Sequence, residues 1–135
     1  MARGRMAVLG AAAALALAGC SGERDTSEGR KVEAAVKQFA AARGPQACAM
    51  LSHHALRHVY GGLSGDPRVG LRRCLALSSR FTAEPIEVTF VQFSGSREAH
   101  ASARALDRRR YYAVGLIKPR GRWLIQSVTV KARAG

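Results

Sequence analysis

The sequence predicts an α+β domain in which helices come first along the chain and an antiparallel sheet follows. Apolar residues recur at helical spacing before Pro85, and after Pro85 they alternate with polar residues as in β-strands. Helices that precede strands, rather than alternating with them, are typical of α+β proteins. Short turn sequences separate four predicted strands, so we expect a β-meander with the helices packed on one face.

The first helix is predicted at residues 30–43, because one apolar stripe recurs there at every third or fourth position. The members of that stripe are Val32, Ala35, Val36, Phe39 and Ala40. Gly44 is placed to stop this helix, and Pro45 suits the first turn of a second, short helix over residues 45–51.

Two more helical segments are predicted before the sheet. Ser52 can cap one or two turns over residues 53–60. Asp66 and Pro67 are the residue types of a helix cap and a first helical position, so they start another helix. The residues of that helix that share a face, and are expected to point inward together, are Leu71, Cys74 and Leu75.

Four strands are predicted between Pro85 and the end of the chain. Alternation indicates the first two, at residues 86–91 and 99–105, and the other two follow at 111–118 and 122–131. The third and fourth strands are apolar on both faces. We therefore expect these two strands to lie at the centre of the sheet.

The first 19 residues have the layout of a secretory signal peptide, with arginines, an apolar run and small residues before Cys20. The run is shorter than the ~20 residues of a membrane-spanning helix. Its end resembles the lipobox of a bacterial lipoprotein, read from the residues Leu17, Ala18, Gly19 and Cys20. The resemblance implies cleavage before Cys20, a diacylglyceryl thioether on it and a fatty acyl chain such as palmitate on its amino group. The alternative is an ordinary signal peptide in which Cys20 is incidental.

Multiple acyl chains on one residue hold a protein firmly at a bilayer. The lipobox resemblance therefore implies a protein anchored on the extracytoplasmic face of the cell membrane. Residues 20–29 have no apolar side chain after the cysteine, and we expect a lipidated cysteine with a flexible tether there. Residues 1–19 are then the signal peptide and residues 30–135 the domain, about the commonest domain size.

If Cys20 carries lipid, the remaining cysteines are Cys48 and Cys74. An oxidising compartment favours a disulfide between them, and two separate buried thiols are the alternative. Their wide spacing is not that of zinc ligands. His54 and His58 are spaced one helical turn apart, but a third ligand is not evident. Neither a metal nor a cofactor is predicted.

The formal net charge is +13. Such an excess suits anionic neighbours such as lipid headgroups or envelope polymers, although the charges are scattered, which favours a solvated surface. Residues 108–110 and 118–122 hold two basic clusters in successive turns of the meander. Successive turns lie at opposite ends of a meander, so the clusters do not form one patch. No specific nucleic-acid partner is predicted.

The order of these elements resembles a nuclear transport factor 2-like domain, a cystatin-like fold shared with ketosteroid isomerases and SnoaL-type cyclases. A long first helix, a short second helix around Cys48 and a cysteine in the next helix, Cys74, carry the resemblance. So does the strand, turn and strand around residues 111–128, with Trp123 after the turn. Small lipoproteins of actinobacterial type resemble this pattern, including the paired cysteines. The resemblance covers residues 30–131 and implies a cone of helices over a curved sheet.

The cone of such domains implies a pocket for a small molecule. Four aromatic residues can line its mouth, or can equally belong to the core: Tyr60, Phe90, Tyr112 and Trp123. The connection at residues 61–66 is shorter than in many family members, which predicts a shallower cone. Glu87, Glu98 and Asp107 are expected at strand ends, in turns or in solvent, so no carboxylate pair is placed for acid–base catalysis.

The sequence therefore favours a lipid-anchored extracytoplasmic binding or interaction module without catalytic residues. Its partner is expected to be a small apolar ligand or an envelope protein. Two other functions stay open: an isomerase, cyclase or dehydratase type of enzyme, and a basic adaptor for anionic envelope polymers. A homodimer through the open face of the sheet, common among related folds, is also open.

Overall fold

A computed structural model of the chain describes residues 21–132, and it confirms the α+β class. The signal peptide, the lipobox and Cys20 lie outside the described residues. Within residues 21–132, no helix combines the length and the apolar character needed to cross a membrane.

Helical segments occupy the first half of the described chain. The α-helices are α1 (Ser27–Ala41), α2 (Pro45–Ala49), α3 (His53–Ala55) and α4 (Pro67–Leu77). A π-helical turn at Leu56–Tyr60 continues α3, and 3-10 turns at Gly62–Ser64 and Ser78–Arg80 stand before and after α4.

The predicted helix caps at Ser52 and Asp66 are confirmed. The Ser52 hydroxyl accepts a hydrogen bond from the Ala55 amide at 3.0 Å, and the Asp66 carboxylate accepts one from the Arg68 amide at 2.8 Å. The Arg68 amide lowers the pKa of Asp66, since a bond to the charged form favours that form. These local signals start helices where the sequence places them.

The ordered structure begins earlier than residue 30. Thr26 caps α1 by accepting a hydrogen bond from the Gly29 amide at 3.0 Å, so the helix starts at Ser27. Upstream, Gly22 forms a parallel bridge to Val91 of the first strand. Residues 21–29, predicted as a flexible tether, therefore belong to the folded domain. Main-chain pairing along a strand edge needs no apolar side chain, so composition did not reveal it.

The sheet is the predicted antiparallel meander, with strand order β1-β2-β3-β4. Its strands are β1 (Ile86–Phe93), β2 (Glu98–Ala105), β3 (Arg110–Ile117) and β4 (Leu124–Ala132). The central strands are thus β2 and β3, and the prediction of a central fourth strand is wrong. The exposed apolar side chains of β4, Val128 and Val130, lie at the open end of the helix-facing side rather than inside the sheet.

The core lies between α1 and one face of the sheet. Val32 and Val36 of α1 are fully buried there, with Val88 and Val91 of β1. The row of small residues on β2 lets the helix approach the sheet closely. That row is Ala99, Ala101, Ala103 and Ala105.

The inward face of α4 differs from the prediction. Leu71 and Leu75 are 38% and 42% exposed, whereas Gly70 and Cys74 are buried. A Cβ added at Gly70 would lie 2.0 Å from the carbonyl oxygen of Leu56, so the glycine permits close packing of α4 on the π-helical turn. This backbone contact, rather than the leucine spacing, decides which side faces inward.

The predicted pairing of cysteines is confirmed, since the Sγ atoms of Cys48 and Cys74 are 2.08 Å apart. Both residues are buried in a small cluster with Leu56, which Leu51 and Phe81 border. The disulfide joins α2 to α4, two elements that otherwise share only a small apolar contact. It therefore connects the helices that lie away from the sheet.

Candidate functional site

A cavity of about 390 Å³ lies between the C-terminal half of α1, the segment after α4 and the helix-facing side of the sheet. Ligand pockets for small molecules start at roughly 300 Å³. Most of the wall is apolar, and the larger apolar side chains in it are Val36, Phe39, Leu51, Phe81, Ile86, Val114 and Val128.

Strand pairing explains why these side chains meet. Tyr112 and Val114 are two residues apart on β3, so both point to the helix-facing side. Val128 stands opposite Val114 on β4. Val114 is buried whereas Val128 is 42% exposed, so the cavity wall runs from the core toward the open β4 edge of the sheet.

A polar group of three side chains, those of Glu84, Tyr112 and Arg110, lies at one part of the cavity wall. The Tyr112 hydroxyl donates a hydrogen bond to Oε2 of Glu84, and the Arg110 guanidinium lies 2.9 Å from Oε1 of the same carboxylate. The Glu84 amide donates to the carbonyl of Ala40 in α1 at 2.9 Å. Glu84 therefore links the end of α1 to two residues on the same face of β3.

Both tyrosines of the cavity wall hold their protons firmly. Burial, with the hydrogen bond to Glu84 acting in the same direction, raises the pKa of Tyr112 to about 12. Burial also raises the pKa of Tyr60 above its ordinary value. Each cause disfavours the phenolate, so the wall presents neutral phenols at neutral pH.

The structure brings together only two of the four aromatic residues proposed for the pocket. Tyr60 and Tyr112 line the cavity. Phe90 is paired with Ser102, which alternates with the buried alanines of β2, so it lies on the opposite face of the sheet. Trp123 is buried in the core, with its ring 5.7 Å from that of Phe93.

A β-bulge explains the misplacement of Phe90. The register of β1 against β2 shifts between Val88 and Phe90. A bulge places one extra residue in a strand and thereby reverses the faces beyond it. Simple alternation put Val88 and Phe90 on one face, but the structure buries Val88 and Val91 instead.

Sequence reasoning missed two members of the polar group. Glu84 falls in a connector before the first strand, and Arg110 was assigned to a solvated turn. The usable signal was the spacing of Arg110 and Tyr112, since extending the third strand by one residue puts both on one face. Nothing local to Glu84 indicated its partners, because they lie in a different part of the chain.

The two basic clusters lie at opposite ends of the sheet, as predicted, because residues 108–110 lie at the start of β3 and residues 118–122 follow its end. Several of their charges have structural partners. Arg110 forms the ion pair with Glu84 described above. In addition, Lys118 lies 3.1 Å from the carboxylate of Glu28, and Arg122 donates a hydrogen bond to the carbonyl of Ala49 at 3.2 Å.

The helical histidines His54 and His58 have ring centroids 4.2 Å apart. Within residues 21–132, no three His, Cys, Asp or Glu side chains are grouped as a metal site. A second depression of about 330 Å³ borders Trp123 and includes Lys31 and Arg122, with Ala35, Met50 and Leu124 among its apolar lining residues.

Comparison with known proteins does not assign a family. No protein-family model matches the chain, and neither the curated proteins nor the solved structures include a match to it. The candidate site therefore has to be interpreted from its own geometry. It is a mostly apolar cavity whose wall includes Tyr60, Tyr112, Glu84 and Arg80, with Arg110 paired to Glu84.

Proposed function

We propose that this chain is a lipid-anchored extracytoplasmic binding module that holds a small apolar ligand and performs no catalysis. The cavity of about 390 Å³ between α1 and the sheet is the observation that carries the proposal. Apolar pockets with a few oriented polar groups are the usual form of a small-molecule site. Each Å² of apolar ligand surface removed from water contributes roughly 25 cal/mol to binding.

We further propose that the domain is nuclear transport factor 2-like. A long helix across a four-stranded meander, several shorter helical segments after it and a cavity at one end support this assignment. The sequence resemblance implies the same arrangement.

The signal-peptide layout and the lipobox support lipid anchoring at Cys20. The ordered N-terminal segment then decides which edge of the domain would lie near the membrane. The Val91 amide donates a hydrogen bond to the carbonyl of Ser21 at 3.2 Å, and Ser21 directly follows Cys20 in the chain. One residue spans at most ~3.6 Å of chain. A lipid on Cys20 would therefore hold the β1 edge of the domain close to the membrane surface.

The arrangement of Glu84 supports binding rather than catalysis. A general base needs a carboxylate oxygen within reach of the proton that it removes. Both oxygens of Glu84 already have partners, Tyr112 and Arg110. The group is therefore better suited to orient a ligand than to abstract a proton from it.

Native mass spectrometry of the full mature chain, extracted from membranes in mild detergent, tests the proposal. We expect a co-purifying small mass that is lost on denaturation. Val128→Trp should abolish it, because the new ring enters the cavity from an edge-strand position that is 42% exposed. The matched control is Thr129→Trp, the next residue of β4, which points to the other face and should retain the mass.

Two outcomes would contradict the proposal. If the wild-type chain is unliganded in every preparation, the cavity does not carry the function, and an envelope protein partner becomes the better hypothesis. If both tryptophan variants lose the mass equally, the ligand does not occupy the cavity. A salt-sensitive complex with anionic polymer would instead favour the adaptor function.

A further inference from the structure

We propose that the ligand donates a hydrogen bond to the Tyr112 hydroxyl oxygen, so that the Tyr112 end of the cavity favours apolar molecules carrying a hydroxyl or N–H group there over carbonyl or ether analogues. This inference rests on the proposed binding function and names the class of ligand.

The hydrogen atoms shared by Tyr112 and Glu84 decide which ligand group fits at this end of the cavity wall. A neutral tyrosine has one hydroxyl hydrogen, whereas a carboxylate can only accept. In the bond between Tyr112 and Glu84 the phenol must therefore be the donor. Once that hydrogen is committed, the Tyr112 oxygen has only lone pairs left to offer.

The surroundings keep the hydroxyl in this orientation. Arg110 can only donate, and it occupies the other oxygen of Glu84 at 2.9 Å. The Glu84 backbone is tied to Ala40 of α1. Rotating the Tyr112 hydrogen toward the cavity would leave an acceptor of Glu84 without its partner, which is costly in a partly buried site.

The consequence for a ligand follows directly. A hydroxyl or N–H group can meet the lone pair of Tyr112, whereas a carbonyl or ether oxygen would face it with no hydrogen between them. Sites that are built for one hydrogen-bonding group reject analogues that lack it far more strongly than apolar walls reject a changed shape. We expect a preference of about tenfold or more for the donor.

A rigid pair of probes tests this inference in the full mature chain. The alcohol 2-decalol and the ketone 2-decalone share one apolar skeleton and differ in donor capacity. We expect NMR titration of the wild-type protein to show about tenfold tighter binding of the alcohol. Tyr112→Phe in a Glu84→Met background should bind both probes with nearly equal affinity, since it removes the lone pairs of Tyr112 and leaves no freed carboxylate oxygen in the wall to accept from the alcohol.

Glu84→Gln gives the more specific readout. Because Arg110 can only donate, it should donate to the amide oxygen of the new glutamine. The amide hydrogens of the glutamine would then be directed toward Tyr112. The Tyr112 hydroxyl would then accept from the glutamine and direct its own hydrogen into the cavity. Because the alcohol and the ketone both offer an acceptor to that hydrogen, the preference for the alcohol should disappear although Tyr112 is unchanged, which a purely structural role of Glu84 would not produce.

Tyr111→Phe is the matched control, because Tyr111 precedes Tyr112 on β3 and points to the other face of the sheet, and it should keep the preference for the alcohol. If the wild type binds both probes equally, or if Tyr60→Phe rather than the change at Tyr112 removes the preference, the inference is overturned while the binding function stands. If neither probe binds the wild type, both the cavity function and this inference fail.

Discussion

The indole nitrogen of Trp123 donates a hydrogen bond to the carboxylate of Glu28 at 3.0 Å, joining the first turn of α1 to the start of β4. Lys118 lies 3.1 Å from the same carboxylate oxygen and 5.1 Å from the centroid of the indole ring. Lys31 contacts the other oxygen at 2.8 Å. Glu28 is therefore the point at which α1 is attached to the β3–β4 turn.

This relationship predicts a pH-dependent stability. Hydrogen bonds from Lys31, Trp123 and Lys118, in that order, lower the pKa of Glu28 to about 2 from 4.5. A lowered pKa stabilises the fold above the ordinary value, and the stabilisation disappears as the pH falls through the folded value. We therefore expect Glu28→Gln to lower the free energy of unfolding at pH 6, with the difference vanishing between pH 4.5 and about 2.

Urea denaturation followed by the fluorescence of Trp123, the only tryptophan, measures this difference. Glu33→Gln is the control, because Glu33 lies on the same helix and, among residues 21–132, forms its one ion pair with Lys37, at 2.9 Å. An equal pH-dependent loss in both variants would show that any carboxylate of α1 has this effect and would contradict the assigned role of Glu28.

The disulfide should contribute a large share of the stability. Cys48 and Cys74 are 26 residues apart, and closing a loop of this size stabilises a protein by about 3 kcal/mol in the chain-entropy account. Reduction should lower the denaturation midpoint, and a Cys48→Ser, Cys74→Ser variant should match the reduced wild type. Thiol labelling of both cysteines in unfolded, unreduced protein would contradict the bond.

Gly70→Ala should destabilise the protein although alanine is the better helix former by about 1 kcal/mol. The added methyl would lie 2.0 Å from the backbone oxygen of Leu56, which cannot rotate away. We expect a loss of about 1–3 kcal/mol in the free energy of unfolding, as in other overpacked contacts. Chemical denaturation measures it, and a stabilised variant would show that α4 does not pack closely on the π-helical turn.

Gly22→Ala should detach the N-terminal segment from β1. Gly22 has a φ of 60°, and a Cβ there would lie 2.3 Å from the carbonyl oxygen of Val91. Hydrogen exchange should accelerate at the amides of Val91 and Phe93, which donate to Ser21 and to the Glu23 side chain.

The control for this change is Gly95→Ala. Gly95 also has a positive φ, of 77°, but a Cβ there meets nothing within 4 Å. It therefore introduces comparable backbone strain without a collision. Unchanged exchange at Val91 in the Gly22 variant would mean that the segment does not cover the β1 edge.

Cys20→Ala should release the protein from membranes. If Cys20 carries the lipid, the wild-type chain should enter the detergent phase in a phase-separation assay and its N-terminal peptide should carry the mass of the acyl chains. The variant should lose that mass and enter the aqueous phase. A variant that stays firmly membrane-bound would contradict lipid anchoring through this residue.

Local signals determined much of the fold. The α+β class, the meander and the caps at Ser52 and Asp66 follow from periodicity, turn residues and side chains that act within a few positions. Of the candidate site, the sequence indicated Tyr60 and Tyr112. It did not indicate Glu84 or Arg110, because ion pairing depends on which distant elements meet and leaves no periodic pattern.

The sequence by itself determined the order of the helices and strands, and it favoured the pairing of Cys48 with Cys74 that the structure confirms. Only the tertiary structure decided which side chains share the cavity. A single extra residue between Val88 and Phe90 reverses a strand face, and a backbone contact at Gly70 turns α4. Both are consequences of contacts between elements, and local spacing carries no information about such contacts until the elements have packed.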